Sequence, residues 1–155
     1  MKICFLATEI FAWGKYGGFG RATRAIGSEL VNRGIEVYAI VPRRTGQEEY
    51  EVLDGIKVYG FQCHNIFRIM QFAKTINADI YHTEEPSMIS VFAKLAMPHK
   101  KHIVTFRDPR NSKDWRIELR EHSLSKWQVI CNYFFENNLF VHYFVRNCDG
   151  TYAAA

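Results

Sequence analysis

A glycine-rich stretch near the start of the chain constrains its fold more than any other feature. Glycine fills four of the seven positions from 14 to 20. A short apolar run, residues 3–7, precedes the stretch, and an amphipathic pattern over residues 19–31 follows it. A glycine loop between a strand and a helix lets backbone N–H groups and the positive end of the helix face an anion. The stretch therefore predicts a phosphate-binding loop on a strand–loop–helix scaffold.

Short apolar runs alternate with segments of helical periodicity along most of the chain. We predict strands at residues 2–8, 35–41, 55–61, 78–82 and 102–106, and helices at residues 18–33, 64–76, 86–97 and 112–121. The apolar face of the first helix is predicted to be Phe19, Ala22, Ile26 and Leu30. The polar residues 43–54 are predicted to form a loop. In a chain of 155 residues, this alternation predicts one α/β domain, a doubly wound parallel sheet with helices on both faces.

The last third of the chain has a different pattern. Residues 124–146 are rich in aromatic side chains, with apolar residues on most helical faces, which predicts one largely buried helix or a broken pair. For Trp115, Trp127 and residues 133–144 we favour packing in the core, and the alternative is a surface that faces a membrane or a lipid acceptor. Residues 149–155 have the pattern of a strand that has just begun, so we expect the chain to be part of a longer protein.

Composition excludes several classes of protein. The four cysteines, Cys4, Cys63, Cys131 and Cys148, show no C-x-x-C spacing, which predicts free and partly buried thiols in a reducing compartment. No apolar run reaches the ~18–20 residues of a membrane-spanning helix, and the first residues lack the pattern of a signal peptide. The net charge of +4 is spread too thinly to predict a nucleic-acid partner. These features predict a cytoplasmic protein.

Polar residues follow several of the predicted strands. They lie in residues 8–20, in Arg43 with Arg44, in residues 82–85 and in residues 107–110. In a doubly wound parallel sheet, ligands bind beyond the carboxyl ends of the strands, and those ends share one edge. The four segments are therefore predicted to converge on one site.

A dinucleotide-binding turn is one alternative for the glycine loop. Gly18 and Gly20 begin a G-x-G-x-x-G pattern, but Thr23 stands at its last glycine and the loop lies far beyond the strand. Arg43 and Arg44 follow the second strand, where an NAD enzyme has an acidic residue, and two arginines suit a 2′-phosphate instead. An NADP-dependent oxidoreductase and a non-catalytic nucleotide- or phosphate-binding domain therefore stay open, as does a loop that is only a structural turn.

The glycine loop and three further segments carry a resemblance to a known family. Residues 15–21, KYGGFGR, resemble the K-x-G-G-x-G loop of retaining glycosyltransferases of the GT-B class, in the glycogen-synthase-like family 4. Residues 29–37, ELVNRGIEV, are similar to that family's ELxRRGHEV segment, and residues 78–86 and 103–108 continue the resemblance in order. The chain therefore resembles the N-terminal, acceptor-side half of a GT-B enzyme, which is Rossmann-like, over most of its length.

The resemblance implies an activity for a longer protein. Such an enzyme transfers a sugar from a nucleotide-sugar donor to a carbohydrate or lipid-linked acceptor, with retention at the anomeric carbon and without a metal or other cofactor. Residues 1–155 are then the acceptor-side domain, and the C-terminal donor-binding domain lies outside this chain. The chain alone is therefore expected to be inactive, and peripheral contact with a membrane surface stays open.

The resemblance also implies roles for individual residues. Lys15 and Arg107 are expected to be catalytic. The expected ligands of the donor diphosphate are Gly17, Gly18, Gly20 and Arg21, and those of the acceptor are His82, Glu84, Glu85, Asp108 and Arg110. The alternatives are that Arg21 is an exposed surface charge, that the backbone satisfies His82, and that the glutamates favour the N-terminus of the next helix.

Arg107 departs from the pattern of the family. Many members have a histidine at this position, directly after Thr-Phe, near the sugar that is transferred. Arginine stays protonated and cannot act as a general base. It predicts instead either an acceptor with an anionic group or an ion pair with Asp108.

Overall fold

Seven strands form one sheet across the described part of the chain. The computed structural model describes residues 1–10, 18–43, 46–107, 112–121 and 125–153. The strands are β1 (Lys2–Leu6), β2 (Glu36–Pro42), β3 (Tyr50–Leu53), β4 (Ile56–Phe61), β5 (Ile80–Thr83), β6 (Lys101–Phe106) and β7 (Gly150–Ala153). Their order is β3-β4-β2-β1-β5-β6-β7, and all neighbours are parallel except β3 and β4. The predicted doubly wound α/β sheet is confirmed, and its order reverses between β1 and β5.

Helices cover both faces of this sheet. They are α1 (Gly18–Asn32), α2 (Arg68–Ile76), α3 (Met88–Ala96), α4 (Ser112–Glu121), α5 (Lys126–Glu136) and α6 (Leu139–Arg146), with a 3₁₀ turn at Cys63–Asn65. The helix α1 packs through Leu30 against the face that carries Phe5. The helices α2 and α3 cover the opposite face, where Cys4 and Tyr81 lie, and α6 packs beside α3 through Phe144. Successive residues of the central strands thus point into two different cores.

Small residues form the buried face of α1. Gly20, Thr23 and Gly27 are buried, whereas Ile26 is exposed. A Cβ atom at Gly27 would lie 2.5 Å from Cδ1 of Ile56, so this glycine lets the helix approach the sheet closely. The predicted apolar face is therefore wrong at Ile26, because hydrophobic spacing finds the helix but not the side that the close approach buries.

The segment predicted as a loop, residues 43–54, contains one strand of a hairpin. Here β3 pairs antiparallel with β4, and its side chains are only exposed or half-buried. Asp54 and Gly55 connect the two strands with φ angles of 49° and 82°. Two consecutive positive φ angles are typical of a type I′ turn, for which Asp-Gly is a preferred sequence. The loop prediction was wrong because the strand lies at the sheet edge and needs no apolar run.

Two short helices, α5 and α6, occupy the segment for which one helix or a broken pair was predicted. Asn137 and Asn138 separate them, and Oδ1 of Asn138 accepts hydrogen bonds from the N–H groups of Phe140 and Val141. An asparagine side chain that caps the first turn in this way starts a new helix. The broken pair is therefore confirmed, and the strand predicted after it is β7, which pairs with β6.

The outer sides of α5 and α6 carry exposed apolar side chains, which we call the aromatic face. Its members, exposed by 64% at Phe134 to 84% at Leu139, are Trp127, Phe134, Leu139, Phe140 and Tyr143. Trp115, Val141 and Phe144 are buried. Core packing was the correct prediction for these three residues and the wrong one for the aromatic face. Each helix has apolar residues on more than one side, and only one side meets the rest of the domain.

The cysteines are free, as predicted. Cys4 is buried and Cys148 is half-buried, but Cys63 and Cys131 are exposed. The predicted partial burial is therefore wrong for two of the four.

Contact between the aromatic face and a membrane stays a prediction. No helix within the described ranges combines the length and the apolarity needed to cross a bilayer. If the face lies on a bilayer surface, replacing Trp127 and Phe134 together with serine is expected to weaken vesicle binding at least ~10-fold, because each aromatic side chain that leaves water contributes ~1.5–3 kcal/mol. Cosedimentation with phospholipid vesicles measures this. Val52→Ser, on the exposed side of β3, is the control, and equal sedimentation of all three proteins contradicts the prediction.

A buried histidine makes the stability of the domain depend on pH. The ring of His102 stacks on Tyr81 with centroids 5.1 Å apart, and its Nε2 lies 3.0 Å from the carbonyl oxygen of Met97. Its Nδ1 is buried and makes no hydrogen bond within the described residues. Burial lowers the pKa of His102 from 6.5 to about 4, and the positive charge of Lys94 acts in the same direction.

Acidification is therefore expected to destabilise the domain through His102. Between pH 6.5 and about 4 the unfolded chain binds a proton at this residue and the folded chain does not, so stability falls as the pH falls. The loss is on the order of 2–3 kcal/mol. Urea unfolding between pH 4.5 and 7.5 should show a shallower pH slope for His102→Gln than for the wild type. His99→Gln, at an exposed histidine, should keep the wild-type slope, and equal slopes for all three would refute the assignment.

Candidate functional site

The candidate site lies where the strand order reverses, between the carboxyl ends of β1 and β5. In doubly wound sheets a crevice opens at such a point, because the connections on its two sides run in opposite directions. Glu9 follows β1, Glu84 follows β5 and Arg107 follows β6, so three neighbouring strands each deliver a charged side chain. The first turn of α1 lies over the same edge, since it bonds to both Glu9 and Arg107.

The guanidinium of Arg107 joins three elements. Its Nη2 forms an ion pair with Oε2 of Glu84, and its Nη1 donates to the carbonyl oxygen of Phe19, 3.1 Å away in the first turn of α1. The backbone N–H of Arg107 donates to Oε1 of Glu85 at 2.7 Å. The side chains of Arg107 and Glu84 are only 10% and 4% exposed. The ion pair therefore lies inside the fold, where it ties the β5 and β6 loops to the helix that follows the glycine loop.

Burial and charge oppose each other at Glu84. Burial raises the pKa of Glu84 above its usual value, and the positive charge of Arg107 offsets part of that rise. A buried carboxylate is stable only when a cation and hydrogen bonds compensate for the lost water. Arg107 is thus the group that permits a charged Glu84 at this position.

His82 extends the cluster along the same face of the sheet. Its Nε2 lies 2.7 Å from Oγ1 of Thr105, its Nδ1 lies 3.7 Å from Oε1 of Glu84, and its ring centroid lies 5.4 Å from that of Phe5. Burial, together with the charge of Arg107, lowers the pKa of His82 to about 4. The ring is therefore neutral at pH 7 and available for hydrogen bonding. The alternative in which the backbone satisfies His82 is wrong, because its partner is the side chain of Thr105.

Comparison with known proteins identifies the family. The family model of Glycosyltransferase Family 4 matches residues 16–148. The chain belongs to glycosyltransferase family 4. A sequence search of curated proteins gave no match.

A solved structure shows the fold that goes with this membership. Sucrose-phosphate synthase from Thermosynechococcus elongatus is similar to 98% of this chain, with a TM-score of 0.53 and 11% sequence identity. The match covers 47% of that protein, so the chain spans about half of its length. The sheet is therefore a Rossmann-like half of a GT-B fold, as the sequence predicts.

The site residues expected from the family 4 resemblance fall into two groups. Lys15, Gly17, Asp108 and Arg110 lie outside the described residues. Gly18, Gly20, Arg21, His82, Glu84, Glu85 and Arg107 are described, and all of them lie at the carboxyl edge of the sheet or in the first turn of α1. Their assigned roles stay predictions.

The first turn of α1 shows where an anion is attracted. The N–H of Gly20 donates to Oε1 of Glu9 at 3.1 Å, so a carboxylate lies at the positive end of the helix. Gly18 and Arg21 are exposed at the same end. A helix N-terminus favours negative charge through its N–H groups and its dipole. In this structure Glu9 engages the N–H of Gly20, so the contact of Gly20 with a donor diphosphate stays a prediction.

Sequence reasoning missed three residues of the cluster. Thr105 binds His82, Thr23 donates from Oγ1 to the carbonyl oxygen of Phe19 at 2.9 Å, and Glu9 binds Gly20. Thr105 was detectable, because period-2 alternation on β6 places it on the same face as Arg107. Glu9 lies in the segment 8–20 that was predicted to reach the site, but its partner, like that of Thr23, depends on how α1 lies on the sheet.

Proposed function

We propose that this chain is the acceptor-side domain of a GT-B glycosyltransferase that moves a sugar from a nucleotide-sugar donor to a carbohydrate or lipid-linked acceptor, with retention. One observation carries the proposal: in a family 4 chain, the helix that follows the glycine loop begins at the β1/β5 crevice, beside the Arg107–Glu84 pair. A second domain, which binds the donor, completes the site. The non-catalytic phosphate-binding domain and the NADP-dependent oxidoreductase are weaker alternatives, because the chain belongs to a glycosyltransferase family.

Electrostatic stabilisation of the leaving group is the proposed source of catalysis. As the glycosidic bond of the donor breaks, negative charge develops on the nucleoside diphosphate. Lys15 and the backbone N–H groups of Gly17 and Gly18 are proposed to face that charge, and Arg21 adds a positive charge nearby. The N–H of Gly20 is proposed to join them once the diphosphate displaces the carboxylate of Glu9. Hydrogen-bond donors and cations that are already in place when this charge develops lower the activation barrier most. In this proposal these groups take the role that a divalent cation has in metal-dependent transferases.

The acceptor is proposed to bind at the ends of β5 and β6. His82 is neutral at pH 7 and half-buried, so it is suited to bind an acceptor hydroxyl rather than to carry charge. Glu85, Asp108 and Arg110 are proposed to line the same side of the crevice. The buried Arg107 holds this edge against α1, so that acceptor and donor groups meet at a fixed separation.

A comparison of the chain with a longer form of the protein tests the proposal. Residues 1–155 alone are expected to release no nucleoside diphosphate from UDP-, GDP- or ADP-sugars, because most donor contacts come from the second domain. A form that includes the next ~150–200 residues, the length of a second domain, is expected to turn over one of these donors. Turnover by residues 1–155 alone would contradict the proposal that a second domain is needed to bind the donor. Binding of nucleotides by the longer form without any turnover would instead support a non-catalytic domain.

A further inference from the structure

A polar cleft lies at the same edge of the sheet as the candidate site, beside the ends of β2 and β4. It is open to solvent and, with the solvent at its mouth included, has a volume of about 270 Å³. The side chains that matter for its chemistry are Arg43, Glu49, Gln62, Asn65 and Arg68. Because β1, β2 and β4 are adjacent and parallel, the cleft opens one to two strand spacings, ~5–10 Å, from the end of β1. It is therefore within reach of a molecule that occupies the β1/β5 crevice.

The charge in the cleft comes from Arg43. Glu49 is paired with Nη2 of Arg68, whose Nη1 donates to Oε1 of Gln71 at 2.8 Å. These two charges cancel, and both groups are engaged. Arg43 donates from Nε to the backbone oxygen of Gln47, which fixes the plane of its guanidinium. Within the described residues, its two Nη groups make no hydrogen bond.

Two neutral side-chain amides, which can donate hydrogen bonds, also line the cleft. Gln62 and Asn65 are exposed, and neither amide side chain has a hydrogen-bond partner among the described residues. Gly60 forms part of the wall, and a Cβ atom there would lie 3.3 Å from Cβ of Arg43 and 3.3 Å from the carbonyl oxygen of Glu48. The absence of a side chain at Gly60 therefore lets the stem of Arg43 lie across β4. The result is an oriented cation with two adjacent amide groups.

We propose that this cleft binds an oxyanion, a phosphate monoester or a carboxylate, on the sugar acceptor. The proposal rests on the proposed glycosyltransferase function and specifies its acceptor class. A guanidinium with both Nη groups available matches the geometry of two oxygens of such an anion. The sequence predicted an anionic acceptor from Arg107. In the structure, however, the guanidinium of Arg107 is occupied by contacts to Glu84 and to the carbonyl oxygen of Phe19. The structure places a better oriented cation for that anion at Arg43.

Titration with inorganic phosphate, followed by ¹H–¹⁵N NMR including the arginine Nε–H signals, tests the site directly. Saturable shifts are expected at Arg43 and Asn65. Arg43→Gln should weaken phosphate binding at least ~10-fold, as expected for loss of a charge-assisted contact. Arg33→Gln is the matched control, because Arg33 is an exposed arginine paired with Glu29 on α1, and it should bind as the wild type does.

A second variant covers the case in which Arg43→Gln unfolds. Asn65→Asp adds a negative charge to the cleft without touching the bond from Arg43 to Gln47, and it should weaken phosphate binding as strongly. Phosphate that causes no saturable shift in the cleft, or that binds both variants like the wild type, overturns the inference.

Kinetics on the longer protein separate this inference from the proposed function. With a working donor, Arg43→Gln and Asn65→Asp should raise KM for an acceptor that bears phosphate or carboxylate at least ~10-fold and leave KM for the donor unchanged. The acceptor type, phosphate or carboxylate, whose KM rises more in these variants identifies the anion that the cleft binds.

Transfer only to neutral acceptors overturns the anion role and leaves the proposed function intact. Phosphate binding in the cleft without any sugar transfer refutes the proposed function, and preferential binding of NADP assigns the cleft to a 2′-phosphate instead.

Discussion

Replacing Arg107 with alanine is expected to destabilise the domain by ~3–5 kcal/mol, the usual cost of removing one partner of a buried ion pair. The Glu84 carboxylate, only 4% exposed, would be left without its cation, and the carbonyl oxygen of Phe19 would lose a donor. Chemical denaturation of wild type and variant at pH 7 measures the difference. Arg24→Ala is the matched control, because the Arg24–Asp54 pair is 30% and 47% exposed and should lose less than ~1 kcal/mol.

A double replacement distinguishes an unpaired charge from a packing defect. Arg107→Met combined with Glu84→Gln removes both charges at similar volume and should recover most of the lost stability. The double variant should still fail to transfer sugar if Arg107 also contributes to the site. A loss below ~1 kcal/mol in Arg107→Ala would show that the ion pair does not hold this edge of the sheet together.

Replacing Lys15 with alanine is expected to lower kcat of the longer protein by ~10²–10³-fold and to leave its stability unchanged. The reason is that Lys15 is proposed to act on charge that develops on the leaving diphosphate, and not on the ground-state donor. KM for the donor should therefore change much less than kcat. Initial rates of nucleoside diphosphate release measure both.

The control for Lys15 is a lysine far from the crevice. Lys74→Ala removes an exposed lysine of α2 and should keep kcat within ~2-fold of the wild type. Lys15→Arg should retain part of the rate, since it keeps the charge and changes its geometry. A kcat for Lys15→Ala equal to that of Lys74→Ala would remove this residue from the mechanism.

The order of strands and helices could be predicted from the sequence because β1 and β2 are short, mostly buried apolar runs and segments of helical periodicity separate the later strands. The edge strand β3 could not be found in that way, since half of its side chains face water and only the turn at Asp54 and Gly55 indicates it. The buried side of α1 was also missed, because close contact selects Gly20 and Gly27 there rather than the larger Ile26. Hydrophobic periodicity shows which residues of a helix are apolar, but it does not show how closely the helix packs against the sheet.

The location of the candidate site residues could be predicted from the sequence, but most of the side chains that they contact could not. Topology places the carboxyl ends of the parallel strands at one edge, so His82, Glu84 and Arg107 could be grouped from the sequence. The ion pair between Arg107 and Glu84 could not be predicted, because the two residues are 23 positions apart and their side chains come together only when α1 packs over them. The anion predicted for Arg107 was an inference from its charge alone, and a buried partner satisfies that charge inside the fold.

The central claim is that the longer protein transfers sugar from a nucleotide-sugar donor across the crevice that carries the glycine loop. The most direct measurement follows nucleoside diphosphate release and glycoside formation together, with UDP-, GDP- and ADP-sugars, acceptors with and without an anionic group, and EDTA present. The expected result is equal amounts of the two products from one donor, with the anomeric configuration retained. Absence of both products for every donor, or oxidation of NADPH in their place, would contradict the claim.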